Sequence, residues 1–275
     1  MNEPITVERL ANNPYMIRYI DHPSQDLQLA AVRANGLLIQ YLSEPDRDVQ
    51  EAAVAQAPEA IRYIKNPPEA LCRQAIAANW YNLSYIKQPS AALVRLALEQ
   101  SPWAIRYAVR PGEELQLLAV QKNWEALQYI KEPTTQVQLA AIRQSPEALR
   151  YLDPAAPEAE DLAILTDART LRFVHNLSAA RILHFISLNI LVCTVLKKEQ
   201  YIPEKDILQL LQHIVAQEDV PEKYIRNFMN CRSLNQIYHW TPVDKLHLVY
   251  QYGSKRAKRI AVDERLRFKD TKEVI

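Results

Sequence analysis

The side chains best able to do chemistry in this chain are 3 cysteines and 6 histidines, and their spacing speaks against the chemistry they usually perform. Cys72, Cys193 and Cys231 form no Cys-x-x-Cys pair and are odd in number, so reduced thiols are expected rather than a disulfide framework or a zinc site. His22, His175, His184, His213, His239 and His247 show no His-Glu-x-x-His or other metal-ligand spacing. There is no Gly-x-Ser-x-Gly elbow. The three glycines, Gly36, Gly112 and Gly253, are scattered, which excludes a P-loop and a dinucleotide-binding fingerprint. No catalytic residue, metal or cofactor is expected, and an enzyme housed in the C-terminal part is the least supported reading.

One set of side chains recurs with a spacing suited to binding. Arg18, Gln40, Arg62, Ser84, Arg106, Gln128, Arg150 and Arg172 follow one another at a constant step of 22, each directly before an aromatic residue. Such a column is either a row of solvated side chains packing their stems on neighbouring layers, or a binding row of Arg18, Arg62, Arg106, Arg150 and Arg172. Arginine forks could grip carboxylates or phosphates of a partner. A second candidate is the basic end of the chain, Lys255, Arg256, Lys258 and Arg259. Residues 176–275 carry 16 basic against 11 acidic residues, whereas residues 1–152 carry 15 against 16. A solvated face is the plain reading of that segment; contact with nucleic acid or an acidic protein surface is the functional one.

The elements that hold these side chains follow from the same step. Tyr19, Tyr41, Tyr63, Tyr85, Tyr107, Tyr129, Tyr151 and Phe173 stand 22 apart without insertion or deletion. Ile17, Ile39, Ile61, Leu83, Ile105, Leu127, Leu149 and Leu171 precede them by two positions. Prolines follow four positions later in six units, and an alanine follows twelve later in seven, from Ala31 to Ala163. Periodicity of this kind marks a helical repeat array. Asn13, Asn35, Asn79, Ser101, Asn123, Ser145 and Asp167 are placed to cap a short helix of about seven or eight residues, often with proline at its first position. The proline beyond the aromatic ends that helix, and Ser24, Asp46, Ser90 or Thr134 caps a second of about ten. The aromatic column is expected in the core, and the alanine column where two helices approach closely. Eight stacked units make an α-solenoid, roughly 70–80 Å long if straight.

The segment AVRANGLLIQYLSEPDRDVQEAAVAQ, residues 31–56, resembles the Asn-Gly-start tandem repeats of bacterial and phage proteins of unassigned function, through Asn35, Gly36, Tyr41, Asp48, Val49, Ala53 and Val54. PDRDVQEAAVAQAP, residues 45–58, is more weakly similar to leucine-rich variant repeats. Both resemblances imply a short-helix solenoid and no reaction. The first also implies a phage or bacterial source.

After Phe173 the marks fade. The expected organisation is a solenoid over 1–176 and a helical capping domain over 177–275 ending in a basic tail. Helices are expected over about 178–198, after Pro203, after an Asp219 cap, and from Thr241 to Gly253. MNEPITVERLANNP lacks the apolar stretch of a signal peptide, and the apolar run Ile182–Leu196 is too short and polar to span a bilayer. A cytoplasmic protein with no membrane association is expected. The function expected is a non-enzymatic scaffold for a macromolecular partner, foremost a protein. The alternative is a nucleic-acid-binding repeat protein using the arginine row and basic end.

Overall fold

The structure, a computed structural model, describes residues 6–197, 202–235 and 243–270. Every regular element among them is helical, and consecutive helix pairs pack on their neighbours as an α-solenoid. The chain forms two compact units, Met1–Ala140 and Ala141–Ile275, which divide within the helix Thr135–Gln144.

From Gln25 onward each repeat pairs a 10-residue α-helix with a short helix of a different kind. The α-helices include Arg47–Gln56, Glu69–Ala78, Ala91–Gln100 and Glu113–Lys122. The partner elements, such as Pro58–Tyr63, Trp80–Tyr85 and Pro102–Tyr107, are 3-10 helices of 6 residues. The sequence suggested a somewhat longer helix. An extended residue before it and another directly after the aromatic leave room for only two tight turns, which close with bonds such as Ile64 N to Ile61 O, 3.2 Å.

Where the short helix starts without proline, its cap bonds as expected. Asn35, Asn79, Asn123 and Asp167 accept from the amide two residues on, at 2.9–3.1 Å. Where proline starts it, the preceding Asn13, Ser101 or Ser145 makes no side-chain cap bond, because proline already fixes the first turn. At the second helix Asp46, Ser90 and Thr134 cap Val49, Leu93 and Val137, whereas Ser24 makes no such bond.

The core is built from three columns. The Ile/Leu column, the alanine column and the branched residue after it are all between 0% and 3% exposed. A fourth column lies where the chain turns from the short helix into the next α-helix. Gln28, Gln50, Gln116 and Gln138 donate from Nε2 to the carbonyls of Pro23, Pro45, Pro111 and Pro133, five residues back, at 2.8–3.0 Å. Just before three of the turn prolines, His22, Asn66 and Arg110 adopt left-handed backbone, with φ of 49–55°.

In the second unit the pairing outlasts the sequence marks. The helix expected over about 178–198 is instead an α-helix, Ala179–Leu188, and a 3-10 helix, Ile190–Thr194. Asn189 breaks it: its backbone is extended, its carbonyl side chain accepts from Leu191 N at 3.1 Å, and its amide donates to Ile164 O at 2.9 Å. Phe185 stands in the alanine column here and is buried, and the Tyr224 hydroxyl of the helix Glu222–Asn230 donates to Ile186 O at 2.9 Å. The helix after Pro203 is Glu204–Ala216. Pro221, not Asp219, caps Glu222–Asn230, and Asp244 caps Lys245–Tyr252 through His247 N at 3.0 Å. Thr241 and Pro242 lie outside the described residues. The basic end is a helix, Lys255–Asp270, on which Lys255, Arg256, Lys258 and Arg259 are exposed.

Candidate functional site

The aromatic column is not the core spine its regularity suggested. Tyr19 is 69% exposed and Tyr41 43%, and the rings from Tyr63 to Phe173 are half-buried. The physical reason is the 3-10 geometry, in which Ile61 and Ile64 align on the inner face while Tyr63 takes the edge of the layer. What recurs at that edge is a flat platform for arginine.

In the first unit the Arg18 guanidinium lies 4.5 Å from the centre of the Tyr19 ring and hydrogen-bonds its hydroxyl. Arg62 sits between two layers, 4.6 Å from the Tyr63 ring and 6.0 Å from the Tyr85 ring, and donates to Tyr63 Oη at 2.6 Å. That hydrogen bond is the chief reason its pKa is raised further. Arg106 bridges the next layers, 5.3 Å from Tyr107 and 5.0 Å from Tyr129. Stacked contacts of this kind contribute about 0.5–1 kcal/mol at exposed sites. None of the three arginines forms an ion pair with a carboxylate among the described residues.

Around Arg106 the aromatic surface widens. Tyr81 packs edge-on against Tyr85 at 6.0 Å and against Tyr107 at 5.9 Å, Trp80 lies 6.4 Å from Tyr107, and Trp103 meets Tyr129 at 6.0 Å. Tyr81 is 46% exposed and the neighbouring Val109 61%. Burial, then the hydrogen bond with Tyr81, pushes the Tyr107 phenol above its ordinary pKa. The sequence reading passed over Trp80, Tyr81 and Trp103. The available signal was that aromatic residues, Trp124 and Tyr15 included, enter two columns that most other units fill with proline, glycine, leucine or glutamate.

In the second unit the ladder repeats but its charge is satisfied. Arg150 lies over Tyr151 and Phe173, and Arg172 over Phe173. Both pair with Glu147, the Arg172 contact measuring 2.7 Å. Although burial opposes it, these two arginines hold the Glu147 carboxyl below its ordinary pKa. The five arginines are therefore of two kinds: among the described residues Arg18, Arg62 and Arg106 pair with no carboxylate, and Arg150 and Arg172 share one.

Other places carry less. A cavity of about 420 Å³ beside His184 has Asp161 bonded to that histidine at 2.8 Å and Glu160 paired with Arg181. The three cysteines are buried free thiols, with Cys193 and Cys231 held protonated by burial. Among the described residues no cluster of three or more His, Cys, Asp or Glu could hold a metal ion, and no helix is long and apolar enough to cross a membrane. No protein-family model, curated protein or solved structure gives a significant match to the chain.

Proposed function

We propose that this protein is a non-enzymatic scaffold whose first unit binds a protein partner along the arginine–aromatic edge. The observation that carries the reading is Arg106, in no ion pair among the described residues and framed by Tyr107, Tyr129, Tyr81 and Trp103. Arginine, tyrosine and tryptophan are the residues in which binding energy concentrates at protein interfaces, and rings with few rotatable bonds lose little entropy on contact. Stacking fixes the guanidinium before the partner arrives, so less of the binding free energy goes into ordering it.

The test compares wild type with Arg106→Ala and Trp103→Ala as immobilised baits in lysate of the source cells, with and without nuclease. Recovery of one protein by wild type after nuclease treatment, weakened in both variants by at least about 2 kcal/mol while helical content is unchanged, supports the reading. Recovery abolished by nuclease transfers the arginine row to single-stranded nucleic acid, for which interleaved arginine and aromatic rings also suit.

A further inference from the structure

One layer before Arg106, the edge of the first unit opens into a groove of about 730 Å³ between the turns that follow Tyr63 and Tyr85. That lies within the range of about 300–1,000 Å³ typical of ligand sites. Arg62, Lys65 and Lys87 line it together with Tyr63, Tyr85, Asn66 and Gln88, and no carboxylate does. None of the three cations has an acidic partner elsewhere among the described residues. Arg62 is held in place by the Tyr63 hydroxyl, which takes one of its five N–H donors and leaves the others for a ligand. Three like charges around one concavity repel one another, and that repulsion is relieved when an anion enters.

The charge is local. At the positions equivalent to Lys65 and Asn66, the first layers carry Asp21 and Glu44, both exposed; beyond the groove stand Val109 and Arg110, then Lys131 and Glu132. A nucleic-acid backbone needs a continuous basic track, and here the track is closed by Asp21 and Glu44 on one side and broken by Val109 and Glu132 on the other. A protein segment with one short run of carboxylates fits such an isolated basic site. We infer that the groove between Tyr63 and Tyr85 docks an extended, Asp/Glu-rich segment of the protein partner, with its carboxylates on Arg62, Lys65 and Lys87. The inference rests on the protein-binding reading above and specifies the chemistry of its partner.

The test uses a phage-displayed library of random short peptides, selected in parallel on the immobilised full chain and on its Lys65→Ala/Lys87→Ala variant. Neither lysine takes part in the ladder, and both are exposed, so the variant keeps the fold. Selected sequences rich in Asp and Glu on wild type alone, whose synthetic versions bind the double variant about tenfold more weakly, are the expected result. Peptides without acidic enrichment, or with equal affinity for both proteins, overturn the groove assignment. If those same peptides lose affinity on Arg106→Ala, the scaffold reading stands while the groove assignment falls. No selected peptide, together with binding of an oligothymidine probe, overturns both.

Discussion

The α-carbon of Gly36 lies against the backbone of Ala53 in the following helix, so closely that a methyl group on Gly36 would sit 2.2 Å from the Ala53 carbonyl oxygen. The Gly36 amide donates across the same junction to Gln56 Oε1 at 2.6 Å. Gly36→Ala is expected to force the layers apart and to destabilise by about 1–3 kcal/mol, the usual cost of overpacking. Gly112 has open space around it, and Gly112→Ala should change stability by less than about 1 kcal/mol. Denaturant midpoints of the two variants check the difference.

The alanine column makes the same argument inside a helix. Ala97 is fully buried and Glu99, two residues on, is exposed. Ala97→Leu should cost about 1–3 kcal/mol and Glu99→Leu close to nothing. Thermal melts that moved equally would contradict close helix approach at this column.

Arg110 holds left-handed backbone with φ of 49° ahead of Pro111. A left-handed residue with a β-carbon costs about 1–2 kcal/mol, less for asparagine, whose side chain bonds locally. Asn66 already occupies the equivalent position with the same φ. Arg110→Asn should therefore stabilise the chain by about 0.5–1 kcal/mol, read as a higher Tm at equal helical content.

In the second unit Glu264 accepts from Asn230 Nδ2 at 2.8 Å and pairs with Arg226, and these bonds hold its pKa below the ordinary carboxylate value. A depressed folded pKa contributes stability that is present above the unfolded pKa, near 4.3, and lost as pH falls through the folded one. At pH 7 Glu264→Gln should destabilise by about 1–3 kcal/mol. The gap to wild type should close as pH drops below about 4, a trend that unfolding curves along a pH series would reveal.

The sequence was most legible where packing allows no substitute. Ile61 and Ala53 have neighbours on every side, so their residue types repeat and the step of 22 emerges. The type of the short helix was less legible, because one or two turns have too few residues to display a period. The aromatic column misled for a related reason: a ring is retained equally well by a core and by an arginine that needs a flat face, and only the 3-10 stagger separates the two. The Gln28 and Gln50 bonds to proline carbonyls were invisible because glutamine shares its column with Cys72 and Val94. Lys65 and Lys87 joined the candidate site through the turn geometry alone, since nothing in their types distinguishes them from other surface lysines.

The hydrogen bonds between layers join residues about one repeat apart: Trp80 N to Gln100 Oε1 at 2.9 Å, Thr134 Oγ1 to Glu113 at 2.5 Å and Lys122 Nζ to Glu99 O at 2.8 Å. Chain length in this array is consequently quantised. Adding or removing a single residue within a layer would break these ties and rotate a helix face out of the core, while gain or loss of a whole 22-residue module leaves every remaining junction with its proper partner. Such a protein can change the length of its arginine–aromatic edge by duplication or deletion of modules, each step adding or subtracting one rung, without redesigning the layers beneath.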